Sequence, residues 1–252
     1  MKKILLIGCS NLLGLHHAFR QVFQQTQTAH QLVLDNKNTR SPDETLLDDH
    51  AKYTNLSQAG AGNTYIRHRL FEHLEQETPD YVYLQFSGLN RRDLCFNIEN
   101  ESLFKQFIGD SESHKITPKN IFMNGGRWLT QPKEEKWINE RFLLMYTPEN
   151  SNANNNISLQ EVFTCISLLN HKKIKFNWSF FYDPTDAPTQ ATVEEGTIES
   201  FPKWIDQQHR IPSPLNWILD RKGECTDGVH FLYKDYVDFL QHHKGKMHLN
   251  FA

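Results

Sequence analysis

The feature that most constrains this chain is the junction at Gly8. Residues 3–8 form a short apolar run (Ile4, Leu5, Leu6, Ile7) with no in-and-out alternation, the pattern of a parallel strand covered on both faces. Directly beyond it, Ser10 and Asn11 are residue types that cap helices. Leu12, Leu13, Leu15, His16, Phe19, Val22 and Phe23 then recur at helical spacing to about Gln25. Strand, tight turn and helix open a doubly wound α/β sheet.

The rest of the chain keeps this alternation. Residues 31–35 read as a second short strand and 36–49 as irregular loop, followed by a helix over 65–77. The β-branched and aromatic run 81–86 predicts a third strand, ending in the polar cluster Ser87-Gly88-Leu89-Asn90-Arg91-Arg92-Asp93. From 94 to 156 the pattern blurs: Asn124-Gly125-Gly126 marks a turn, 134–146 looks helical and 148–156 reads as a polar loop. Ser158 with Glu161 makes a capping box for a helix through Leu169. Residues 173–182 alternate as a fourth strand and 232–242 close the chain as a helix. The expectation is one domain over residues 1–252, a three-layer α/β/α fold of flavodoxin-like type with a mainly parallel central sheet. About 94–172 is expected to be a variable region covering the sheet or a site.

Composition removes several function classes. Among 252 residues, 27 Lys and Arg against 30 Asp and Glu leave a net charge of -3, so no global field draws nucleic acid or an anionic membrane. The four cysteines, Cys9, Cys95, Cys165 and Cys225, lack the spacing of a zinc site, a redox dithiol or a disulfide framework. No segment approaches the roughly 18 apolar residues of a membrane span. Met1-Lys2-Lys3 before an apolar run resembles a secretory signal, but that run is short of the roughly 7 to 15 residues a signal needs. A soluble cytoplasmic protein with reduced thiols is expected, its oligomeric state left open.

In open α/β sheets, ligands bind where loops leave the carboxyl ends of strands, and three polar clusters fall near such positions. Ser10 follows the first strand at a helix start, where free N–H groups favour negative charge, a placement that suits a nucleophile as well as a cap. Asp227-Gly228-Val229-His230 offers a base for a serine proton, with an acid three positions earlier to orient and stabilise the imidazolium. Gly60 and Gly62 can bring a backbone N–H close to a ligand, and Asn90 can offer a side-chain amide, so both could donate to a developing oxyanion.

These four blocks, in this order, resemble the SGNH hydrolases, the GDSL-like esterases and acetyltransferases. Ile7-Gly8-Cys9-Ser10 is similar to their first block, Gly60-Ala61-Gly62-Asn63 to the glycine block, Gly88-Leu89-Asn90 to the GxN block and Asp227-Gly228-Val229-His230 to the DxxH block. The resemblance implies Ser10 as nucleophile, His230 as its base and Asp227 as the orienting acid. It further implies an oxyanion hole of the Ser10 N–H, the Gly60 N–H and the Asn90 amide, with Gly62 as the alternative glycine. Two departures mark a divergent member: Cys9 stands where the family usually has Asp, and Arg91 follows Asn90 where many members have Asp. Asn63 and Arg91 are the candidate substrate-binding residues.

The activity expected is acyl transfer through an acyl-serine, as an esterase removing small O-acyl groups, acetyl above all, from a carbohydrate or small molecule. No metal or cofactor is expected. A sugar hydroxyl as acceptor would make the chain an O-acetyltransferase with acetyl-coenzyme A as donor, and loss of chemistry would leave a carbohydrate-binding protein on the same fold. The glycines around Ser10 lack the spacing of a nucleotide loop. Cys9, ending a central strand, is expected in the core. The adjacent pairs His16-His17 and His242-His243 lack the spacing of helical metal ligands. In Arg91-Arg92-Asp93 one arginine could meet a substrate hydroxyl or carboxylate, or a salt bridge could order the loop, and Trp128 and Trp217 are rim aromatics that could stack on a sugar.

Overall fold

The computed structural model describes residues 1–24, 44–47, 51–58, 61–91, 93–96, 121–124, 148–186, 196–221 and 231–249. They form β1 (Lys2–Gly8), α1 (Ser10–Gln24), β2 (Glu44–Leu47), β3 (Ala51–Asn55), α2 (Asn63–Gln76), β4 (Tyr81–Phe86), β5 (Asp93–Phe96) and β6 (Ile121–Asn124). Then come α3 (Pro148–His171), β7 (Lys175–Phe180), α4 (Pro214–Asp220) and α5 (Tyr233–His243). The main sheet has the order β2-β3-β1-β4-β7, and β5 pairs with β6 in a separate antiparallel ribbon. Strands β3, β1, β4 and β7 run parallel, and β2 adds an antiparallel edge. The expected α/β class with a mainly parallel sheet is what the chain adopts.

Over residues 4–7, strand β1 reads as an unbroken apolar run because both faces of the sheet are covered there. Ile4 and Leu6 of β1 pack with Leu12, Leu15 and Phe19 of α1, Leu215 of α4 and Phe239 and Leu240 of α5. Leu5 and Ile7 point the other way, into a core with Ile66 and Leu70 of α2 and Val162 and Ile166 of α3. Successive side chains on one strand thus enter opposite layers. On β7 only one face is apolar: Phe176, Trp178 and Phe180 join the second core, while Asn177 and Ser179 are buried facing β4 tyrosines. There the Tyr81 hydroxyl donates to Asn177 Oδ1 at 3.1 Å, and Tyr83 and Ser179 share a hydrogen bond of 2.8 Å. Burial pushes both tyrosine hydroxyls well above their ordinary pKa.

Beyond β7, residues 209–211 run alongside the outer strand: the Trp178 N–H donates to the His209 carbonyl at 3.1 Å and the Ile211 N–H to the Trp178 carbonyl at 2.9 Å. Arg210 lies over the Phe201 ring at 4.3 Å and bonds Asp183 at 2.5 Å. At the start of α4, Ser213 Oγ accepts the Asn216 N–H at 3.4 Å with Pro214 in the first turn, the residue pair expected at a helix start.

Four expectations need correction. Residues 44–47 and 51–55, read as loop or not assigned, are β2 and β3; Lys52 and Thr54 break the apolar run, and the burial comes from pairing with β1. Residues 148–156 are the first turns of α3, not a polar loop: Asn154 and Asn155 are buried there, so packing overrides their weak helix propensity. Ser158 is therefore inside the helix, not its cap, and its hydroxyl donates to the Leu89 carbonyl. Its intended partner Glu161 instead pairs with Arg67 of α2 and accepts from Thr64 Oγ1 at 3.3 Å. The short α4 and the ribbon strands β5 and β6 are likewise absent from the sequence reading. The expected strand at 31–35, helix at 134–146 and glycines of the 124–126 turn lie outside the described residues. Much of α3, which falls in the stretch expected to be variable, supplies core residues. No helix among the described residues is long and apolar enough to cross a membrane.

Candidate functional site

Ser10 and Asn90, two residues of the site expected from sequence, follow the ends of β1 and β4. Gly8 and Gln85 are register partners on these adjacent strands, so the loops carrying Ser10 and Asn90 leave the sheet side by side. The chain places β3 on one side of β1 and β4 on the other. That reversal makes a crevice at the strand ends, the usual ligand position in such sheets. Gly8 has no room for a side chain, since a Cβ would stand 2.9 Å from both Gln85 Cβ and the Gln85 carbonyl oxygen. The missing side chain lets the first turn sit close against β4. Ser10 opens α1, the Leu12 N–H bonding back to the Cys9 carbonyl at 3.1 Å. Cys9 is buried, as expected, its thiol 3.5 Å from Gln85 Oε1 as donor.

Three loops are tied into one unit here. The Gln58 N–H donates to the Gly8 carbonyl at 3.0 Å, joining the loop after β3 to the turn after β1. The Ser87 hydroxyl donates to the Ala61 carbonyl, joining the loop after β4 to the glycine block. Asn63, expected to meet substrate, is buried and uses its amide on the backbone of Ser87, Oδ1 accepting the N–H at 2.8 Å and Nδ2 donating to the carbonyl at 3.5 Å. Its geometry is that of a staple between two of the four blocks.

Asp93, read from the sequence only as a residue that could order its loop, ties the third block to the glycine block. Its Oδ1 accepts the Gly62 N–H and its Oδ2 the Tyr65 N–H, both at 2.7 Å. Gly62 is the N-cap of helix α2 and makes no side-chain cap bond, so Asp93 at the start of β5 caps the helix from outside, adding a charge-assisted bond at its positive end. The signal was legible in principle, since a helix opening on glycine with no acidic residue in its first turn needs an acceptor from elsewhere. A Cβ at Gly62 would stand 2.7 Å from the Arg91 carbonyl oxygen, which locks the glycine block against the third block. Arg91, half-buried, closes a turn through its N–H to the Gly88 carbonyl at 3.1 Å.

Asn90, the expected oxyanion amide, is 3% exposed. Gly196, at φ 63°, packs its backbone directly on it: a Cβ there would stand 3.1 Å from Asn90 Cγ and overlap Asn155 Oδ1. The Gly196 carbonyl accepts the Tyr182 hydroxyl, and Asn155 Nδ2 donates to the Thr197 carbonyl at 2.9 Å. Asn90 is thus enclosed between the start of α3 and residues 196–197.

Gly60, Asp227 and His230 lie outside the described residues, as does Trp128. The residue after His230, Phe231, is buried in the core that holds Leu12 and Leu15 of α1. Tyr233 Oη contacts the same helix, donating to Gln21 Oε1 at 2.5 Å. The segment that follows the fourth block is thus docked on the helix that Ser10 begins. Trp217 is half-buried, packing on Phe239 and His243 with Arg221 over its ring at 3.9 Å. His16 and His243 are buried within their helices, and among the described residues no group of three or more His, Cys, Asp or Glu could hold a metal. A scan against protein-family models finds no match, and no curated protein matches the chain.

Proposed function

We propose that this chain is a serine-dependent acyl-transfer enzyme, an esterase that removes small O-acyl groups, acetyl above all, from a carbohydrate or small molecule. One observation carries the reading: Ser10 stands at a helix start on the loop beside the one bearing Asn90, at the switch point of a parallel sheet. In this reading Ser10 Oγ attacks the ester carbonyl carbon as His230 takes its proton, with Asp227 stabilising the imidazolium. The Ser10 and Gly60 N–H groups and the Asn90 amide receive the developing oxyanion. Collapse breaks the C–O bond, His230 protonates the departing alcohol, and water repeats the sequence to free the acid and Ser10. Asn63 and Asp93 hold the loops and do not touch substrate. Cys9 and Cys165, both free and buried, suit work in the reducing cytoplasm.

The test is p-nitrophenyl acetate hydrolysis by the wild type beside Ser10→Ala, with circular dichroism to confirm folding. The variant should lose at least about a thousandfold in rate. Repeating both with acetyl-coenzyme A, and following free thiol with and without sugars, separates water from a sugar hydroxyl as acceptor. A folded wild type inactive on both donors would refute the reading and leave a carbohydrate-binding protein.

A further inference from the structure

At the end of the sheet opposite Ser10, where β7 begins, a cavity of about 460 Å3 is lined by residues that include Lys173, Lys175, Phe176, His209, Met247 and His248. The two histidines are 39 positions apart in sequence, yet His209 Nδ1 lies 2.9 Å from His248 Nε2. One buried side chain holds both: Asn177 Nδ2 donates to the His209 carbonyl at 3.1 Å, while Asn177 Oδ1 accepts the His248 N–H at 3.0 Å. The His209 ring also packs on Phe176, centroids 4.6 Å apart. Two imidazoles at this separation share one hydrogen, the second nitrogen acting as acceptor.

The charges around the pair come from three segments. Lys173 and Lys175 enter from the end of α3 and the start of β7, and Lys246 is exposed on the segment that carries His248. Asp206 is the acidic neighbour of His209, but its carboxylate accepts the Gln208 N–H at 2.8 Å and Asn170 Nδ2 at 3.4 Å. Burial, with His248 second, lowers the pKa of His209, and Asp206 opposes this. Lys173 closes α3 at φ 54°, a backbone conformation usually given to Gly or Asn. The carbonyls of Asn170 and Leu169 are taken by the Lys173 and Ile174 N–H groups, each at 3.0 Å. Lysines at the mouth disfavour a metal cation between the imidazoles and favour an anion.

We propose that this cavity binds a small dianionic oxyanion, a phosphate or phosphate monoester, between Lys173, Lys175 and the His209–His248 pair. Binding replaces the shared hydrogen with a donor from each imidazole, so one proton is taken up from solvent. Affinity therefore rises as pH falls.

The test is calorimetric titration of the full chain with sulfate, inorganic phosphate and glycerol phosphate at about pH 6 and about pH 8. Sulfate keeps its charge across that range, so its pH dependence reports the protein alone. Saturable sulfate binding should tighten by up to about tenfold per pH unit on acidification. Stronger binding of glycerol phosphate than of the inorganic ions would identify a monoester as the occupant, and equal binding a free oxyanion. Lys173→Asn suits the backbone conformation, so it should melt no lower than wild type while binding about threefold more weakly. His248→Gln should abolish the pH dependence. Absence of saturable binding, binding equal at both pH values, affinity unchanged in both variants, or zinc binding lost in His248→Gln without sulfate binding would each overturn the proposal.

Discussion

Asn63 grips Ser87 by both atoms of its amide, accepting the backbone N–H at 2.8 Å and donating to the carbonyl at 3.5 Å. Asn63→Ala would leave both backbone groups buried without those partners, at a cost of about 1–3 kcal/mol. In a chain of this size each kcal/mol moves the melting temperature by about 2–4 °C. Calorimetry should record that drop, together with reduced esterase turnover as the glycine and GxN loops separate.

Asp93 caps α2 from outside the helix. Asp93→Ala should cost about 1–2 kcal/mol, and Asp93→Asn at least as much, since its amide keeps one acceptor for the two N–H groups, turns an NH2 against the other and loses the charge at the helix start. Urea unfolding of the two variants beside wild type measures the order, which would reverse if one neutral acceptor sufficed.

Gly196→Ala inserts a methyl group against Asn90 and Asn155 at a backbone φ of 63°. A destabilisation of about 1–3 kcal/mol is expected from the strained conformation and the overlap. Because the methyl group meets Asn90, the esterase rate constant should fall with little change in KM, and steady-state kinetics on a chromogenic acetate distinguishes the two.

Burial, then His17 and Arg20, bring the pKa of His16 down from 6.5 to about 3. Burial likewise, then His242, Lys246 and Arg221, bring His243 to about 4. Both bind a proton more readily when unfolded, so their neutral forms contribute stability in full above about pH 6.5. That contribution is lost as pH falls toward 4 and below. Urea midpoints should therefore drop on acidification across this window, with uptake of up to two protons on unfolding. His16→Gln should reduce the uptake by one.

The parts of this fold legible in the sequence are those where composition and burial agree. Residues 4–7 are apolar, and 81–86 apolar or aromatic apart from Gln85, because both faces of their strands are covered, so composition and burial pattern found them. Strand β3 escaped because Lys52 and Thr54 carry no such signal; its place is set by pairing with β1. The start of α3 escaped because its asparagines look like loop residues until Thr197 is there to receive one of them. At the site, sequence order brought Ser10 and Asn90 forward as neighbours. It could not foresee that Asn63 would turn inward to Ser87, that Asp93 would cap a helix thirty-one residues before it, or that Gly196 would close over Asn90. Those depend on contacts between segments far apart in the chain.

The strip of chain at residues 209–211 has a consequence for how this molecule meets its own copies. An outer strand with free amides and carbonyls is a template on which another strand can grow. At Trp178, in the middle of β7, both backbone groups are already engaged, the N–H by His209 and the carbonyl by Ile211. A foreign strand arriving there finds its register interrupted at the centre. Edge-to-edge polymerisation through β7 is thereby blocked by two hydrogen bonds.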